Sequence, residues 1–132
     1  MDNVYKDSVS PGKTFPEEIV WLVWSKGIVV GGNDPVMWRK DECGAWIFRA
    51  DYGNKVSEFG WVIDHIELLD ANMDHVSNLR PMHWKNITRK DDGTIECRTT
   101  SAGIHNGLPM EKKIIEVPNV QDYYYTQYNQ AF

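Results

Sequence analysis

The sequence predicts an α+β domain, a short helix followed by a β-hairpin, a second helix and a mixed extension. Three observations support this. A capping signature, Thr14-Phe15-Pro16-Glu17, opens an amphipathic stretch. Two runs of strand-forming residues, 45–50 and 61–66, flank the turn Asp51-Tyr52-Gly53-Asn54. The run from Arg80 to Lys90 places Met82 with Asn86, and His83 with Ile87, at helical i,i+4 spacing. At 132 residues the chain suits one hydrophobic core.

Taken in order, residues 1–13 are polar, with Ser8, Ser10, Pro11 and Gly12, and read as a flexible leader. Thr14 is placed to accept from the third helical N–H, Glu17 to reach back, and Pro16 to sit where no N–H is needed. Ile19, Val20, Val23 and Trp24 then recur at helical spacing, which predicts a helix to about Lys26. Gly31-Gly32-Asn33-Asp34-Pro35 breaks the chain. The runs 45–50 and 61–66 are expected to pair as an antiparallel hairpin, and 67–77 to form a loop. Pro81 suits the first turn of a helix over 80–90, which Asp91-Asp92-Gly93 ends. Strands are expected at 94–99 and 113–117, before Pro118 and a tyrosine-rich tail. The resulting division is a leader over 1–13, a domain over 14–91 and an extension over 92–132.

Fourteen basic and 19 acidic side chains give a formal charge of −5, which argues against a generally basic nucleic-acid coat protein. The N-terminus lacks the basic start and apolar run of a secretory signal, and no stretch approaches the roughly 18 apolar residues of a membrane span. Cys43 and Cys97 lie 54 positions apart and outside any C-x-x-C pair, so neither a disulfide scaffold nor a four-cysteine zinc site is expected. Two reduced thiols in a soluble intracellular protein are the expectation.

The charge is uneven. Residues 1–37 carry −2, 38–77 carry −4, 78–90 carry +4 and 91–132 carry −3. The basic island consists of Arg80, Lys85, Arg89 and Lys90. Asp64 and His65 on the second predicted strand would face it. A carboxylate that binds a hard cation, an imidazole that deprotonates water and cations that grip phosphates make a rational phosphodiester site. Asp74-His75 is a second such pair; His83 and His105 read as a packed histidine and a turn histidine. The tail, with no nearby Lys or Arg, suits docking on a protein better than stacking on bases.

Three blocks carry a family resemblance. They are Asp34-Pro35-x-x-Trp38-Arg39-Lys40-Asp41-x-Cys43-Gly44-Ala45; Tyr52-Gly53-Asn54-x-x-Ser57-Glu58-Phe59-Gly60-Trp61-x-Ile63-Asp64-His65-Ile66; and Ser77-Asn78-Leu79-Arg80-Pro81-Met82-His83-Trp84-Lys85-Asn86. Over roughly residues 15–90 the chain resembles the HNH endonucleases, in particular compact members without zinc-binding cysteine pairs. The resemblance implies a ββα-metal core, a hairpin and a helix clasping Mg²⁺ or a similar divalent cation, with no structural zinc. It implies that Asp64 is a metal ligand, that His65 is the general base, and that Asn78 ties the loop so that His65 is oriented. The position where the family places its second protein ligand, nine residues after Asn78, is Ile87, which has no lone pair. Asn86 is the chemically suitable neighbour. Arg80, Lys85, Arg89 and Lys90 would bind phosphate. Two functions are therefore expected: a divalent-metal-dependent DNA endonuclease or nickase with a degenerate active site, or a non-catalytic binding or structural subunit of a larger protein assembly.

Overall fold

The computed structural model describes residues 15–68 and 74–116. Helix α1, Glu17–Trp24, starts at Pro16, whose carbonyl accepts from Ile19 and Val20 N–H. Thr14, the leader and the tyrosine-rich tail lie outside the described residues; the expected capping box gives way to Pro16 as N-cap with no side-chain cap hydrogen bond, and Glu17 pairs instead with Arg49 Nη2 at 2.8 Å. Among the described residues eight strands follow: β1 (Trp38–Lys40), β2 (Trp46–Phe48), β3 (Trp61–His65), β4 (Leu79–His83), β5 (Ile95–Glu96), β6 (Thr100–Ser101), β7 (Asn106–Gly107) and β8 (Ile114–Ile115). They pair antiparallel as β1–β2, β3–β4, β5–β8 and β6–β7.

The β3–β4 ladder organises the molecule. Every residue of both strands is buried, so the pair is covered on both faces. Register follows from the pleat, which sends alternate side chains to opposite faces. Trp61 and Ile63 of β3 and Leu79 of β4 join Val20, Val23 and Trp24 of α1 and Ile47 of β2 in the main core. Trp24 and Trp61 meet at 5.1 Å between ring centroids. On the other face Met82 packs with Cys43 and Cys97, and Ile87 and Ile115 lean on that cluster. Asp64 stands opposite Arg80 on this second face.

The ββα-metal arrangement is not formed. The helix expected over 80–90 is absent: Leu79–His83 is a strand, Trp84–Asn86 is a single 3-10 turn, and Arg89 bridges to Ile95. The alternation Leu79, Pro81, His83 against Arg80, Met82 is the period that prevails, because β3 supplies a long apolar partner and Pro81 costs little in a pair with only one ladder. The expected hairpin is likewise replaced: 46–48 pairs with 38–40, and 61–65 with 79–83. Phe48 N–H still donates to Phe59 O at 3.0 Å. Strands at 94–99 and 113–117 are shorter than expected, two residues each, and pair with each other.

The cysteines also depart from expectation. Cys43 and Cys97 form a disulfide, buried on both sides, which joins the turn before β2 to the residue after β5. Two lone cysteines 54 residues apart give no pairing signal in a sequence; only the tertiary fold brings them together, in a cluster that Met82 of β4 joins. The chain around Cys97 is thereby held covalently to the turn before β2.

One glycine is required by close approach. A Cβ on Gly60 would lie 1.7 Å from Asn54 O. Gly60→Ala is expected to destabilise the fold by about 3 kcal/mol, because the obstacle is backbone and cannot move aside. Chemical denaturation of the variant checks this.

Candidate functional site

The candidate residues converge on the end of β3 and the start of β4. β3 delivers Asp64 and His65 as adjacent residues on opposite faces, and the 3-10 turn Val76–Asn78 delivers Asn78 just before β4. The Asn78 side chain is fully buried: its Nδ2 donates to Glu67 O at 2.9 Å and its Oδ1 accepts from Glu67 N–H at 2.8 Å. It therefore clamps the backbone of Glu67, two residues beyond His65.

His65 is 2 % exposed, and its Nε2 lies 2.7 Å from Asp74 Oδ1. The second Asp-His pair is thus split by the fold. Asp74 turns to His65, while His75 contacts Ser77 Oγ at 2.8 Å. Asp74 as the partner of His65 is a contact that the sequence did not indicate, since the two lie nine positions apart.

Asp64 is occupied by cations of this chain. Arg80 Nε donates to Asp64 Oδ2 at 2.9 Å, and Arg89 Nη2 lies 4.0 Å from the same oxygen. Burial pushes the Asp64 carboxyl above its usual range, against the pull of these two guanidiniums. Arg80 also donates to Glu42 Oε1 at 3.1 Å. Arg89 donates to the carbonyls of His65, Ile66 and Gly93. Arg80 and Arg89 are thus turned inward and are not the phosphate-binding face expected of them. Lys85 remains exposed and Lys90 half-buried.

Asn86, the expected substitute ligand, is committed elsewhere. Its Nδ2 donates to Asp41 Oδ2 and to Thr99 O, each at 3.0 Å. Its Oδ1 accepts from the N–H of Arg98 at 2.7 Å and of Thr99 at 2.9 Å. Asp41, 1 % exposed, also accepts from the N–H groups of Cys43, Ala45 and His83 at 2.9 Å. Ile87 packs against the disulfide cluster. These residues do not fit a divalent ion: one ligand is paired with arginines, the amide has no free lone pair directed at Asp64, and the third position is apolar. Among the described residues no group of three or more His, Cys, Asp or Glu is placed to hold a metal.

His83 is equally satisfied. Its Nε2 donates to Glu58 O at 2.6 Å and its Nδ1 accepts from Lys85 N–H at 3.0 Å. Burial lowers its pKa from the ordinary 6.5. Between that value and the lower folded one, the unfolded chain binds the proton first, so His83 favours folding above about 6.5 and its contribution falls as pH drops. An NMR titration of the His83 ring is expected to show a midpoint below 6.5; a midpoint at or above it refutes the assignment.

No helix among the described residues is long and apolar enough to cross a membrane. No protein-family model, curated protein or solved structure matches the chain.

Proposed function

We propose that the chain is a non-catalytic binding or structural module of a larger protein assembly, in which the HNH-like residue pattern serves as a framework rather than a hydrolytic centre. The observation that carries this reading is the occupation of Asp64 by Arg80 and Arg89, which neutralise the carboxylate that a nuclease needs for its metal. His65, buried against Asp74, and Asn86, saturated by four hydrogen bonds, support it. A protein partner is supported by the apolar side chains at 104–110. Ile104 is 79 %, Leu108 87 % and Met110 98 % exposed, on a segment that lines an open cleft of about 660 Å³. The competing reading, a DNA nickase, is favoured by one feature, the Asn78 clamp on Glu67.

Plasmid nicking separates the two. With Mg²⁺ or Mn²⁺ the wild-type protein is expected to leave supercoiled DNA intact, and calorimetry with either ion to show no saturable binding. Nicking that His65→Ala abolishes overturns the proposal and restores the nuclease reading.

A further inference from the structure

The fold sorts the basic island into inward and outward cations, and adds one from elsewhere in the chain. Arg80 and Arg89 are spent on Asp64, Glu42 and backbone carbonyls, whereas Lys85 is exposed beside Asn86. Asn86 Oδ1 also holds the backbone N–H of Arg98 at 2.7 Å, so one buried amide anchors the segments bearing both side chains. Lys85 and Arg98 line the same cleft, of about 390 Å³, together with His83, Trp84, Glu58 and Leu108. Neither charged head makes an ion pair or hydrogen bond among the described residues; the Lys85 ammonium lies 5.2 Å from the centre of the Trp84 ring.

We propose that this cleft binds the phosphate group of a small organic phosphate between Lys85 and Arg98. A phosphate ester carries between one and two negative charges near neutral pH, which two cations match better than one. The guanidinium offers a planar pair of donors and the ammonium a point charge, a combination suited to phosphate oxygens. Glu58 is the only carboxylate among the described lining residues, and its Oε2 is already turned to Asn106 N–H at 2.9 Å and His105 Nδ1 at 3.1 Å. Those contacts, the Asn106 N–H above all, hold its pKa below the usual carboxylate value and keep the carboxylate turned to them. His83 is neutral, with both ring nitrogens engaged, and takes no part in the charge balance. Trp84, its indole N–H donating to Ser57 O at 2.8 Å, gives the cleft a fixed aromatic wall, and Leu108 an apolar rim for the organic part. The size lies in the range of roughly 300–1,000 Å³ for small-molecule sites. The cleft shares no residue with Asp64 and His65, so the assignment stands apart from the loss of catalysis.

The test is a titration of the ¹⁵N-labelled full chain with phenyl phosphate, inorganic phosphate and a thymidine oligonucleotide at low salt, followed at the Trp84 indole and Arg98 amide resonances. Phenyl phosphate is expected to give saturable shifts confined to the cleft. Arg98→Gln and Lys85→Gln, both surface changes that leave the remaining spectrum unaltered, are each expected to weaken binding about tenfold. Absence of saturable shifts with any probe, or variants that bind phenyl phosphate as tightly as the wild type, overturns the site. Binding of the oligonucleotide tenfold tighter than phenyl phosphate overturns the assignment to a small molecule. Equal shifts with sodium sulfate that the variants do not diminish overturn it as well.

Discussion

Reduction of Cys43–Cys97 is expected to cost about 4 kcal/mol of stability, the loop-closure entropy that a bridge across 54 positions withdraws from the unfolded chain. The two sulfurs are buried among Met82, Ile87 and Ile115, so reduction also places two thiols in an apolar cluster without providing any new partner. Unfolding by urea, with and without a reductant that does not itself denature, reads the difference as a shift in midpoint. The double variant Cys43→Ala, Cys97→Ala should fall near the reduced protein, lower only by the small cavities it leaves. Identical midpoints in oxidised and reduced samples would sink this assignment. The expectation of two free thiols followed from their spacing and from the intracellular reading, and neither carries information about a contact made in the tertiary fold.

Asn86→Ala is expected to destabilise by about 4 kcal/mol. The side chain is fully buried and makes four hydrogen bonds, to Asp41 and to the backbones of Arg98 and Thr99. Truncation leaves two backbone N–H groups, one carbonyl and one carboxylate oxygen short of a partner, each costing about 1 kcal/mol or more in a dry interior. Asn86→Asp, which keeps the shape, should be as damaging: it replaces a donor facing Asp41 with a second carboxylate. Denaturation curves of both variants check the prediction. A loss below about 1 kcal/mol would show that solvent reaches the network. The outcome also separates roles, because a metal ligand would alter ion binding while leaving ion-free stability nearly unchanged.

How much of this could be read in advance varied with the range of the interaction. Helix α1 and the strand at 61–65 were legible, since apolar spacing in one and β-branched and aromatic residues in the other agree with local propensity. The clamp of Asn78 on the Glu67 backbone carried no signal in composition or periodicity. The stretch 80–90 was not: Met82, His83, Asn86 and Ile87 satisfy helical spacing, yet Leu79–His83 also alternates, and only the partner strand β3 decides between two short periods. The inward turn of Arg80 and Arg89 was hidden for the same reason. A basic run looks like a surface until the acids opposite it, here Asp64 and Glu42, are placed. Arg98 gave no signal at all. It lies outside the basic island, in an acidic segment, and joins Lys85 only through a buried amide.

The bridge has a topological consequence for chain continuity. β3, the connection after it and β4 all lie between Cys43 and Cys97, inside the covalent ring that the disulfide closes. A single break of the backbone anywhere within that ring leaves one molecule, with its two pieces still tethered. A protease acting between the two central strands would therefore alter the mobility of the protein on a gel only after reduction.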